Sequence, residues 1–161
     1  MSERGSESLS YRRSRFATTL PLDRRYTSTH HWLLEEAPGI WRVGFTEFGI
    51  RLLGDLVECA ITAEAGAPVG LGQEIGLVEG FKAVTSLHSV AEGGFLGAGT
   101  DLRADVTFLE TDPYERGWLY RVRGRPDPAS VDVHGYVSML DVDIDHYLRT
   151  RRGSGKPADA R

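Results

Sequence analysis

Apolar side chains recur at every second position in three separate stretches of this chain: Trp41, Val43 and Phe45 in IWRVGFT, Val57, Cys59 and Ile61 in DLVECAIT, and Trp118, Tyr120 and Val122 in GWLYRVR. A period of two places such residues on one face of an extended strand and their neighbours on the other. Nineteen glycines, many of them at the ends of these runs, supply tight turns. The chain is therefore expected to be mainly β, with short antiparallel strands folded into a sandwich or barrel. Helix is the minority element. TEFGIRLLGD fits a short helix that starts at Thr46 as its cap and closes near Gly54. Val137, Leu140, Ile144, Tyr147 and Leu148 are spaced three to four apart, which gives a C-terminal helix one apolar stripe to lay over the sheet edge.

The 161 residues, 40% apolar and 26% charged, suit one domain with a real core. No apolar run approaches the roughly 18 residues needed to span a bilayer, and the start of the chain lacks the apolar block of a secretory signal, so no membrane association is expected. Cys59 is the only cysteine. That leaves no disulfide framework and no paired-cysteine metal spacing, and the expected setting is the reducing cytoplasm. The formal charge of −4 is unevenly spread. Residues 1–25 carry six arginines against three acids, and residues 149–161 five basic groups against one acid. Taking those +3 and +4 away from −4 leaves −11 on residues 26–148. Such a core repels nucleic acid and anionic membrane and favours basic protein partners. Residues 1–25 and 149–161 are expected to be flexible basic ends flanking a domain over 26–148. A transit peptide is the other option for 1–25, and Glu3 and Glu7 argue against it.

Lys82 is one of two lysines in a chain with seventeen arginines. It falls where two strand-like runs, EIGLVE and KAVTSLH, meet around Gly80, which is the composition of a hairpin. Gly80 is expected to take positive φ at the bend, with Phe81 and Lys82 at or beside its tip. The structural alternative is an ordinary solvated lysine. Yet where charge alone matters this chain uses arginine, and of the two cationic groups an amine can be acylated whereas a guanidinium practically cannot. No nucleophile, base and orienting group converge in the sequence, so no catalytic residues are assigned. A hydrolase built on Asp55 and Glu58 lacks the further groups it would need. His30 and His31 are adjacent, which on a strand points them to opposite faces, so no metal site is expected. His88, His134 and His146 suit surface or helix-flank positions.

The ordered set YTSTHHW, VGFTEFGIRLLGDLV, EGFKA, Gly93 and DPYERGWL resembles the H protein of the glycine cleavage system, over roughly residues 25–148. The resemblance implies a barrel-sandwich hybrid of two antiparallel sheets with short helices and a C-terminal helix. It also implies a carrier, not an enzyme, with lipoate covalently attached to Lys82. Glu79 and Gly72 match positions that help the modifying enzyme, a lipoate ligase or lipoyl transferase, to recognise the hairpin. His31, Thr29, Phe48 and Ser86 are candidates for a cleft that holds the cargo.

The sequence departs from the family pattern at several of these places. Family members usually carry an acidic residue where this chain has His31, a clamp for the protonated aminomethyl cargo. Glu110 stands for asparagine, Gly80-Phe81 for Ser-Val, and Ile61-Thr62 for Leu-Pro. A neutral or cationic imidazole does not attract an ammonium group. The departures tilt the expectation toward the H-like carriers of bacterial sulfur oxidation, which work beside a heterodisulfide-reductase-like complex. The alternatives are a genuine glycine cleavage carrier, served by the glycine cleavage enzymes including a dihydrolipoamide dehydrogenase, and a lipoate-free binding or regulatory module.

Overall fold

The computed structural model describes residues 7–158, with side chains as far as residue 150. The described part begins with a hairpin of β1 (Ser8–Arg13) and β2 (Phe16–Pro21), which among the described residues pair only with each other. The short β3 (Arg25–Tyr26) leads into β4 (His31–Ala37) and β5 (Ile40–Phe45), and helix α1 (Glu47–Leu53) follows. Strand β6 (Leu56–Ile61) is followed by β7 (Pro68–Val69), β8 (Glu74–Gly80), β9 (Val84–His88) and β10 (Ala91–Ala98). Two short helices, α2 (Thr100–Ala104) and α3 (Phe108–Thr111), precede β11 (Tyr120–Pro126) and the long helix α4 (Val133–Ala158).

Six strands form one antiparallel sheet in the order β3-β4-β5-β11-β10-β7, and β6-β8-β9 form a second. Alternation fixes which side chains fill the space between the sheets. Leu33 stands opposite Val43, and Val43 opposite Tyr120, so one buried row crosses three strands. Ile75, Val78 and Leu87 from the smaller sheet meet this row, together with Phe95 and Val122. On β4 the preceding residue, Trp32, faces the other way. It joins a second cluster with Tyr26, Phe48 and the α4 residues Tyr136, Leu140 and Ile144. The apolar stripe of α4 is thus buried, with Val137 and Leu148 packed at its margin.

The short helix α1 follows from its ends. Thr46 Oγ1 accepts the Gly49 N–H at 3.3 Å, and Gly54 closes the helix with φ of 78°.

Three expectations need correction. Residues 8–21, expected to be a flexible extension, form an ordered hairpin because Tyr11, Phe16 and Leu20 are buried in the second cluster. The hydroxyl of Tyr11 donates to Asp141 at 2.7 Å, and the Arg13 guanidinium makes two bonds to Asp145, so the hairpin is tied to α4. At the other end, α4 continues through Ala158 instead of giving way to a flexible tail at residue 149; residues 1–6 and 159–161 lie outside the described part. Finally, Val57 is 46% exposed, not inward-facing. The pairing of β6 with β8 shifts register between Leu56 and Glu58, and the bulge turns Leu56, Cys59 and Ile61 toward the core instead.

Candidate functional site

Lys82 lies in the three-residue connection between β8 and β9, and its side chain is exposed. The turn is closed by the Gly80 N–H, which donates to Ala83 O at 2.8 Å. It is also anchored from outside: the Phe81 N–H donates to Asp55 O and the Lys82 N–H to Leu53 O, each at 2.9 Å. The lysine therefore stands on a backbone fixed at three points. Gly80 serves this turn by its lack of a side chain and not by positive φ, which it does not have. A Cβ there would sit 2.1 Å from Leu53 O, so only glycine lets β8 approach the end of α1 this closely. Gly54, with positive φ, has the same need, since its Cβ would stand 2.8 Å from Lys82 Cγ.

Glu79 pairs with Val84 across the hairpin and with Glu58 on β6. Gly72 has φ of 78° in the turn before β8, and its N–H donates to Ser89 O at 2.9 Å. Beside the hairpin opens a cleft of about 510 Å³, lined on one side by Ala83, Thr85, Ser86 and Leu87 and on the other by residues that include Thr29, His31 and Phe45. Gly72 also lines it. Of the four expected cleft residues, Thr29, His31 and Ser86 are brought together there. Phe48 is not: it is buried in the second cluster, edge-on to Phe16 and to His30.

His31 is only 6% exposed. Its ring stacks on Phe45 at 4.7 Å, its Nδ1 bonds Thr29 Oγ1 at 2.9 Å, and its backbone N–H donates to Thr27 Oγ1. Burial, aided by the neighbouring His30, pushes its pKa down to about 3, so the imidazole in the cleft wall is neutral. His30 sits just before β4 with φ of 68° and points into the second cluster. Its Nε2 lies 3.0 Å from Asp143, and its Nδ1 2.7 Å from the Tyr136 hydroxyl. The bonds assign one another. With Nε2–H donated to Asp143, Nδ1 accepts from Tyr136, whose oxygen accepts from Thr46, whose oxygen accepts the Gly49 N–H. Burial lowers the His30 pKa, against the opposing pull of Asp143. The two histidines thus diverge, and no group of three or more metal-ligating side chains forms among the described residues.

One cleft residue was missed. Asp127, just after β11, is the single acidic residue lining the cleft among the described residues. Its Oδ1 accepts the Ala129 N–H and its carbonyl accepts from Ser130, so RPDPAS reads from sequence only as a turn. Glu110 is explained by the fold, since its carboxylate accepts the Leu56 N–H at 2.8 Å and ties α3 to the start of β6.

The family model described as Glycine cleavage H-protein matches residues 24–133. Among curated proteins, the glycine cleavage system H protein of Pseudoalteromonas atlantica is 32% identical over 129 residues, covering 77% of this chain and 98% of that protein. That of Pectobacterium carotovorum is 31% identical over 129 residues, covering 78% and 98%. Among solved structures, the crystal structure of a glycine cleavage system H protein from Mycobacterium marinum superposes with a TM-score of 0.68 at 33% identity, over 76% of this chain and 99% of that one. With most of its length matched by the family model, and with relatives that it spans almost end to end, the chain belongs to the glycine cleavage H-protein family.

Proposed function

We propose that the chain is a non-catalytic lipoyl carrier, with lipoate held in amide linkage on Lys82 Nζ. The observation that carries this reading is the placement of an amine, in a chain that otherwise relies on arginine, at the exposed tip of a hairpin whose backbone is fixed at three points. The surroundings fit an acyl arm. The Lys82 side chain is exposed, and the next residues of the hairpin form one wall of the 510 Å³ cleft. When bound, the group supplies two sulfurs that are reduced to thiols and carry a transferable load. The chain supplies a rigid base, a recognition hairpin with Glu79 and Gly72, and a lined recess.

The cargo favoured here is the glycine-derived aminomethyl group, in keeping with the names of the relatives. Asp127 supports it, as the one acidic residue lining the cleft among the described residues, with a charge of the sign suited to a protonated amine. The partners are then a lipoate ligase or lipoyl transferase, the glycine cleavage enzymes and a dihydrolipoamide dehydrogenase, in the cytoplasm. His31 favours a second reading. Neutral and stacked on Phe45, it offers no clamp for an ammonium group, and a sulfur load passed to a heterodisulfide-reductase-like complex would need none.

The deciding measurement is the intact mass of the protein from its own organism, with peptide mapping around Lys82. One lipoyl increment on Lys82 is expected, and aminomethyl or extra sulfur mass on it separates the two cargoes. An unmodified Lys82 in growing cells refutes the carrier and leaves a lipoate-free binding module.

A further inference from the structure

Fifteen aromatic residues occur in the chain, and among them Phe81 alone is exposed, at 79% of its surface. Nothing in the fold requires this. The Phe81 backbone N–H is bonded to Asp55 O, but its ring covers none of the core. It is the tip of a small apolar surface, because Val84 and Leu77 on the outward face of the same hairpin are 63% and 39% exposed.

The charges around this tip are also unexplained by folding. Register puts Glu58 directly opposite Glu79, on the face shared with Leu77 and Val84. Like charges placed opposite each other across strands destabilise a sheet. No basic side chain relieves them, since neither carboxylate, nor that of Asp55 beside Phe81, has an ion-pair partner among the described residues. Arg51, four residues before Asp55, lies over the Phe16 ring, and the cation nearest in sequence to Glu79 is the Lys82 ammonium, which acylation removes. What remains is an exposed aromatic ring with Glu79 two residues before it, Glu58 paired with Glu79 on the next strand, and Asp55 bonded through its carbonyl to the Phe81 N–H.

We propose that Phe81 is the docking anchor for the enzyme that acylates Lys82, and that this enzyme receives it in an apolar pocket rimmed by lysine or arginine side chains. The inference rests on the reading of Lys82 as the attachment point. Amide formation joins Nζ to the carboxyl carbon of an activated lipoyl or octanoyl donor, an acyl adenylate or a thioester. The amine loses its protons, and AMP or a thiol leaves. To reach Nζ the enzyme must enclose the hairpin tip, and the adjacent ring meets it first. An aromatic side chain buried at the centre of a small interface, with charges at the rim, is the arrangement that concentrates binding energy in one residue. Glu79 was already expected to take part in recognition; Phe81, Glu58 and Asp55 were not.

The test is the steady-state acylation of the full chain by its own organism's acylating enzyme and donor, with the carrier concentration varied. In Phe81→Ser the KM for the carrier is expected to rise by about tenfold or more with kcat little changed, whereas Phe81→Leu stays within about threefold. The Glu58→Gln, Glu79→Gln double variant is expected to raise KM and to flatten the rise of KM with salt shown by the natural chain. Far-UV spectra equal to that of the natural chain, with urea midpoints no lower than its own, establish that the variants keep the fold; the double glutamine variant is expected to gain stability as the like charges are removed. A Phe81→Ser KM within twofold of the natural value overturns this inference alone. Absence of acylation in the natural chain overturns the carrier reading and this inference with it.

Discussion

The backbone N–H of Lys82 donates to the carbonyl of Leu53 at 2.9 Å, so the turn that presents the lysine hangs from the C-terminal end of α1. The same carbonyl would lie 2.1 Å from a Cβ at position 80. Gly80→Ala must therefore push the turn away from α1, and it is expected to cost about 1–3 kcal/mol and to slow acylation of Lys82. Gly70→Ala is the control, since its Cβ meets nothing within 4 Å and its φ is not positive. That variant is expected to lie within about 0.5 kcal/mol of the natural chain. Urea unfolding of both, with acylation followed by mass, checks the contrast; equal behaviour would mean the close approach does not position the lysine.

Lys82→Arg separates charge from chemistry. The side chain is exposed, so the fold and the local charge survive the change. A guanidinium stays protonated and is not acylated under conditions that acylate an amine. The variant is expected to keep its stability within about 0.5 kcal/mol and to lose all of its lipoyl mass. Lipoylation at normal level in this variant would place the attachment elsewhere.

Asp127 is a cleaner probe of cargo than His31. A carboxylate introduced by His31→Glu would be buried against Phe45 with no cation opposite, at an expected cost of about 3–5 kcal/mol, so lost transfer there would report lost folding. Asp127→Asn keeps the bond from Ala129 through its side-chain oxygen and removes one charge. If the load is a protonated aminomethyl group, transfer from a glycine decarboxylase is expected to fall about tenfold, or about 1.4 kcal/mol, with lipoylation unchanged. Undiminished transfer would favour the sulfur reading.

What was legible in the sequence was what neighbouring residues decide. Thr46 and Gly54 cap α1 from within a ten-residue stretch, and two strand-like runs around Gly80 suffice for the hairpin of Lys82. What was not legible depends on distant partners. The arginine and serine content of residues 8–21 hid Tyr11, Phe16 and Leu20, whose burial requires α4 about 130 residues later. The bulge that turns Val57 outward is a shift of pairing with no residue type to announce it. Asp127 reaches the cleft only because β11 ends beside segments from residues 27–31 and 83–90. His31 stood out as a departure from the family pattern, but its stacking on Phe45 needs the β4 and β5 register, which pairs those two residues directly.

The N-terminal hairpin is expected to stabilise the fold without touching the chemistry. Phe16 is 7% exposed and meets Phe48 edge-on at 5.3 Å, so Phe16→Ala removes a ring from the second cluster. The expected cost is about 3 kcal/mol, against about 1 kcal/mol for Tyr11→Phe, which loses only the bond to Asp141. On the carrier reading, both variants are expected to accept lipoate to the same extent as the natural chain, under conditions where they remain folded. A Phe16→Ala midpoint equal to that of the natural chain would show that the hairpin contributes nothing to stability.

Stability should fall as the solution is acidified, and His31 should account for a measurable share of the fall. Its pKa in the fold is about 3, well below the ordinary value near 6.5, because burial penalises the imidazolium. Below pH 6.5 the unfolded chain takes up a proton that the folded chain does not accept until about pH 3, so protons favour unfolding throughout that window. The slope contributed approaches about 1.4 kcal/mol per pH unit near the middle of that window and declines again toward pH 3, where the folded chain also takes up the proton. His30 acts in the same direction, weakened by the Asp143 carboxylate that favours its charged form. Carboxylates titrate in the same range, so the informative quantity is the difference between the natural chain and His31→Gln, which carries no titrating group at that position. From about pH 7 to about pH 4.5 the natural chain is expected to lose at least about 1.5 kcal/mol more than the variant in urea titrations. Parallel losses would mean that His31 is protonated in the folded cleft, where it would repel an ammonium load instead of ignoring it.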